Sequence, residues 1–263
     1  MKVHLVLGAV ALTALLLTTT QLAGETSPAA APTTTTSPPV VSSSVPPAPA
    51  APPPRVYTSS SDLPDGPDFP VAGAGSFHVV QGTGVVVGTG GPVRTYAVEV
   101  EDGITVDEQA FSAFVDATLT DPRGWTARGA LSVRRVTGPA SVRIRLASQQ
   151  TARAVCGFEI PVDVSCRNGN LVVLNAARWF RGAVAFLPDL TSYRRYMVNH
   201  EVGHAFGQNH RACEVAGGPA PVMMQQTFSV SNDEIVRITN GVPQGAVIPQ
   251  DGKVCVPNGW PYP

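Results

Sequence analysis

Residues 200–210 read His200-Glu201-Val202-Gly203-His204-Ala205-Phe206-Gly207-Gln208-Asn209-His210, an H-E-x-x-H-x-x-G-x-x-H pattern. It constrains the chain more than any other stretch, because it asks for a helix, a sharp helix end and a return of the chain in close succession. His200 and His204 lie four residues apart, so on a helix both imidazoles leave one face about one turn apart. Two side chains so placed can hold one Zn²⁺, with Glu201 beside the ion without being a ligand, placed to take a proton from water there. Gly207 can take the left-handed conformation that ends a helix, which lets His210 swing back as a third ligand. Three histidines leave the fourth tetrahedral position open, as a catalytic site requires. The five fixed positions have a chance expectation on the order of 10⁻⁵ in a chain of this length, taking average residue frequencies. Three of the chain's five histidines fall in the motif. His78 lies in the region expected to fold and is read as ordinary.

Downstream lies Pro219-Ala220-Pro221-Val222-Met223-Met224-Gln225-Gln226, with two adjacent methionines in a chain that has four. A soft, apolar methionine of adaptable shape suits a turn beneath a metal site. Met223 is favoured for that turn, with Met224 as the alternative. Two places after that Met stands Gln225 (or Gln226), and no residue here is assigned to stabilise an oxyanion.

The amino terminus reads as an export signal over residues 1–24: Lys2 precedes an apolar run from Val3 to Leu17. That run is short for a membrane span and normal for a signal core, and an uncleaved segment would be the chain's one membrane anchor. Residues 25–70 are rich in Pro, Thr, Ser and Ala, and such a stretch buries too little apolar surface to offset chain entropy. It is expected to be an extended spacer, compatible with association with a cell envelope. Residues 71–263 are long enough for one domain with its own core. A formal net charge of −1 argues against nucleic acid as a partner. Arg134, Arg135, Arg143 and Arg145 form the densest basic region, and the last two alternate with Val142, Ile144 and Leu146 as on the wet face of a strand. Four cysteines in an exported chain argue for two disulfides. Of the three pairings, Cys156–Cys166 and Cys213–Cys255 are favoured, and the absence of C-x-x-C pairs speaks against a second metal site.

Short β-branched segments bounded by Gly or Pro predict strands at 77–80, 84–87, 93–101, 131–136, 141–147 and 171–174. Thr105-Val106-Asp107-Glu108 has the pattern of a capping box, ahead of a helix carrying Ala110, Phe111, Phe114, Val115 and Leu119 and stopping before Asp121-Pro122. A second helix is predicted from Asp189 or Thr191 through His204, ending at Gly207, and Ser231-Asn232-Asp233-Glu234 reads as a further helix start. The fold class is therefore α+β: a mixed, twisted sheet with one packing helix, a metal-binding helix and a small carboxyl-terminal subdomain containing the Met-turn.

The order of these elements resembles the metzincin clan of zinc endopeptidases. Asp121-Pro122-Arg123-Gly124-Trp125, Tyr193-Arg194-Arg195-Tyr196, Pro221 to Gln226 and Pro257-Asn258-Gly259-Trp260-Pro261 are more closely similar to an actinobacterial family of secreted zinc-peptidase-like proteins, over nearly all of residues 75–263. The chain departs from that family's pattern between Phe228 and Cys255. The resemblance implies His200, His204 and His210 as zinc ligands and Glu201 as general base. It implies a secreted or cell-envelope endopeptidase acting on protein or peptide. Substrate is then expected to lie extended along the sheet edge above the metal, the strand around Ser141 to Ala147, through main-chain hydrogen bonds. Two other readings stay open: a non-catalytic, zinc-stabilised binding module of the envelope, and a hydrolase of peptide cross-links in the cell wall.

Overall fold

Val93–Glu101 alternates so that Tyr96, Val98 and Val100 leave one face and Ala97, Glu99 and Glu101 the other, and both faces are buried. A strand covered on both sides belongs in the middle of a sheet. In the computed structural model, which describes residues 55–157, 159–240, 242 and 247–263, it does. The strands are β1 (Phe77–Val79), β2 (Val93–Glu101), β3 (Ser132–Arg135), β4 (Val142–Ala147), β5 (Cys166–Asn168) and β6 (Leu171–Asn175). They form one mixed sheet in the order β1-β2-β4-β6-β5. β2, β4 and β6 run parallel, β5 closes one side antiparallel to β6, and β1 and β3 share the far edge of β2.

The helices are α1 (Glu108–Leu119), α2 (Gln149–Cys156), α3 (Ala176–Arg181), α4 (Leu190–Ala205) and α5 (Asn232–Thr239). The main core lies on the sheet face that carries Tyr96, Val98, Ile144, Leu146, Val172 and Leu174, and α1 and α4 pack into it with Phe111, Val115, Met197 and Val198. A smaller cluster of Ala147, Ala152 and Val173 places α2 on the opposite face. The α+β expectation and the two predicted long helices agree with this architecture; α2, α3 and β5 are additions to it.

Three local expectations need correcting. The 84–87 segment is no strand: Val87 makes only an isolated bridge to Val133. Gly88, at φ +127, lets the chain approach Ser132 so closely that a Cβ would lie 2.6 Å from Ser132 Oγ. Thr105 does not cap α1. Asp107 does, accepting from Ala110 N at 2.9 Å, while Glu108 turns aside to His78 Nε2 at 3.0 Å. Finally, β4 is not an edge strand, because β2 and β6 pair with its two sides. Its Arg143 and Arg145 do face outward on the sheet, where both pair with the fully buried carboxylate of Glu99. Arg135 goes the other way: its side chain is buried and ion-paired to Asp116 at 2.6 Å.

The export signal and most of the expected spacer fall outside the described residues. From residue 55 onward, however, the chain is bonded into the fold. Arg178, buried on α3, donates to the carbonyls of Ser61 (2.7 Å), Asp62 (3.1 Å), Asp163 (2.7 Å) and Gly182 (3.1 Å). Ser60 Oγ reaches Phe228 O at 2.7 Å. Residues 55–70 therefore belong with the folded unit, ahead of the expected boundary at 71: a Pro-containing stretch without periodicity can still be held by its backbone carbonyls. After the motif, Cys213, Ala220, Met224, Phe228, Ile235 and Cys255 form a small separate core. The disulfides are Cys156–Cys166 and Cys213–Cys255.

Candidate metal centre

α4 begins where Asp189 accepts from Ser192 N at 2.9 Å, and it runs without Pro or Gly until Gly203. Its last turn closes through Phe206 N to Val202 O at 3.0 Å and Gln208 N to Gly203 O at 2.9 Å, around Gly207 at φ +87. That left-handed residue reverses the chain, so His210 comes back to the face shared by His200 and His204. The histidine ring centroids are 4.8 Å (His200–His204), 5.3 Å (His200–His210) and 4.6 Å (His204–His210) apart. One ligand atom from each of the three lies within 4.8 Å of the others.

The outer nitrogens fix the tautomers. His200 Nδ1 donates to Val222 O and His204 Nδ1 to Gln208 O, each at 2.8 Å, because a carbonyl can only accept. Both rings then present an unprotonated Nε2 inward, the arrangement of metal-ligating histidines. His204 Nε2 and His210 Nε2 lie 3.0 Å apart. Burial, with the neighbouring His210 and His204, holds His200 well below the usual imidazole range, and burial also lowers His204. Neutral imidazoles are what a metal needs. Glu201, 7 % exposed, is pushed up to about 8 by burial; a dication on the adjacent histidines would act in the opposite sense. The three nitrogens can hold a metal ion, and three imidazoles suit zinc among other first-row ions.

Segments distant in sequence meet around α4. Trp125 Nε1 donates to Asn199 O at 3.0 Å, and Asn199 Nδ2 donates to Gly259 O at 2.8 Å. Tyr196 sets its ring against His200 at a tilt of 51°, centroids 5.2 Å apart, and donates its hydroxyl to Met224 O at 3.1 Å. Gly203 leaves the room that Met223 and Trp125 fill: a Cβ there would be 2.5 Å from Met223 Sδ. Of the two methionines, Met223 therefore lies against the motif helix, in a turn closed by Met224 N to Pro221 O at 2.8 Å. Met224 points into the small carboxyl-terminal core. Gln226 is wholly buried and ties that turn to the tail through Asn258, so of the two glutamines it is Gln225 that lines the cleft.

The motif opens into a cleft of ≈ 890 Å³. One wall is α4, and another is β5, whose outer edge is unpaired among the described residues. β5 replaces the 141–147 segment as the strand beside the site.

The family described as "Protein of unknown function (DUF3152)" matches residues 63–263. The chain belongs to this family. In this DUF3152 chain the three histidines, Glu201, both disulfides and every support of α4 lie within the matched residues. No curated protein and no solved structure matches the chain. Among the described residues, no helix is long and apolar enough to cross a membrane.

Proposed function

We propose that this protein is an exported, zinc-dependent endopeptidase of metzincin type. The observation that carries the reading is the convergence of three histidines, two with their outer nitrogens bonded to carbonyls, beside a buried carboxylate in an open cleft. A bound Zn²⁺ supplies a Lewis acid that acidifies water and polarises a carbonyl. Glu201 accepts a proton from the attacking water and passes it to the leaving amine. The free edge of β5 receives the extended substrate backbone through main-chain hydrogen bonds, in the cleft that α4 also lines. Met223 and Trp125 hold α4 from behind, and the Val222 and Gln208 carbonyls keep two imidazoles oriented. Two disulfides fit an oxidising compartment outside the cytoplasm. A site that merely stabilised a binding module would have no use for a carboxylate at Glu201.

The test compares full-length wild type with Glu201→Gln for bound metal and for cleavage of a mixed peptide library. Zinc in both, with cleavage lowered at least about 10²-fold in the variant, is expected because the substitution removes proton transfer alone. Undiminished cleavage in Glu201→Gln would remove Glu201 from the reaction.

A further inference from the structure

The cleft carries charge that the peptidase chemistry does not use. Arg167 sits in the middle of β5, registered opposite Val172. Paired residues share a sheet face, and Val172 lies in the core beneath α4, whereas the neighbouring Cys166 pairs with Val173 on the α2 face. The Arg167 side chain thus leaves the sheet on the side of the motif helix, close enough to His204 for its charge to be felt there. Arg94 precedes Tyr96 by two residues on β2, so it projects from the same face, and it lines the same cleft. Both arginines are exposed, and neither has an acidic partner among the described residues. Of the other arginines, several are ion-paired, as Arg123, Arg135, Arg143, Arg145, Arg153 and Arg237 are, and others are bonded to backbone carbonyls, as Arg178, Arg181 and Arg194 are. The cleft's other carboxylate outside the motif, Glu159, lies against Gly157.

We propose that Arg167 is a specificity-determining residue that selects substrates bearing a carboxylate within a residue or two of the scissile bond. The proposal rests on the peptidase reading. A peptide paired along β5 places alternate side chains on the α4 side, where Arg167 waits with a planar fork of donors suited to bidentate binding of a carboxylate. The carboxylate can belong to an Asp or Glu side chain or to the free carboxyl terminus of the substrate; the chemistry of recognition is the same.

The experiment uses the full-length protein with matched peptides that differ only in Glu against Gln at successive positions, each with a free or an amidated carboxyl terminus. Wild type is expected to favour the carboxylate form at one position by about tenfold or more in kcat/KM. Arg167→Gln brings that ratio close to one, and Arg167→Glu inverts it towards a matched Lys peptide, a reversal that a merely structural role would not produce. Preference at an internal position assigns the side chain; preference confined to the free terminus assigns the terminal carboxylate. A wild-type ratio of one, or a ratio that survives in Arg167→Gln, overturns the proposal. Binding of the same labelled peptides to Glu201→Gln protein, followed by fluorescence anisotropy at low and high salt, reads recognition without turnover. Tighter, salt-sensitive binding of the carboxylate peptide that is lost in Arg167→Gln, together with no cleavage by wild type, would sink the peptidase reading and leave Arg167 as an anion-selecting residue. Equal binding of both peptides would overturn the Arg167 assignment itself.

Discussion

Asn199 shows what the motif left unsaid. It is fully buried beside His200, accepts from Trp125 through its carbonyl and donates to the carboxyl-terminal tail at Gly259. The ligands were legible because an i, i+4 histidine pair and a helix-ending glycine form a local pattern. Asn199, Trp125 and the Val222 carbonyl left no such pattern, since their roles depend on contacts across the chain and on backbone atoms that every residue carries. Gly203 gives a direct check. Gly203→Ala drives a methyl group into Met223 and Trp125, an overpacking that costs about 1–3 kcal/mol. Thermal unfolding should fall by several degrees, and metal affinity should weaken with it, because Met223 and Trp125 set the position of α4. An unchanged Tm in Gly203→Ala would mean that this packing yields easily.

At the level of elements, β2, β4, β6, α1 and α4 were visible from their periodicity, while β5, α2 and α3 were not. β5 is the three residues Cys166-Arg167-Asn168, with no apolar alternation to announce it. It is held by its pairing to β6 and by the disulfide from Cys166 to Cys156 at the end of α2. The alternation of Arg143 and Arg145 with apolar residues reads as a half-wet strand; their pairing with buried Glu99 is what allows β4 to lie inside the sheet. The two disulfides should separate by effect. Cys213 and Cys255 are 42 residues apart and close the small carboxyl-terminal core, so replacing both with Ser should cost about 2–5 kcal/mol of stability. Cys156 and Cys166 are only 10 residues apart, so the chain-entropy loss is smaller, but β5 loses its tie to α2. Peptide KM should rise in that variant with zinc content unchanged. Equal KM in wild type and the Cys156/Cys166 double variant would show that β5 does not receive the substrate.

Over the whole molecule, the folded unit is defined by what it needs to satisfy. Arg178 is wholly buried, and two of its donors reach Ser61 and Asp62, inside the stretch whose composition reads as a spacer. A chain beginning at residue 71 should be less stable than one beginning at 55 by about 3–5 kcal/mol, since it leaves those donors unmet, and urea unfolding of the two would show it. A pH effect has a different seat. His78, between Glu108 and Asp102, is raised above the usual imidazole range by its hydrogen bonds to those carboxylates. Its stabilising contribution is full below the unfolded histidine pKa and is lost as pH rises through the raised folded value. Asp102 is lowered by Ser76 and His78, so its own share is lost as pH falls through that depressed value. The Tm difference between wild type and His78→Gln should therefore be largest in mildly acidic buffer and vanish in alkaline buffer, and it should shrink with salt because the site is exposed. The central claim, a three-histidine metal centre at the end of α4, is tested most directly by the metal content of the purified full-length chain alongside His204→Ala. About one zinc per wild-type chain, and little or none in a variant that still folds with both disulfides formed, is the predicted result. A folded wild-type chain that binds no divalent metal, or a His204→Ala variant that keeps a full equivalent, would contradict it.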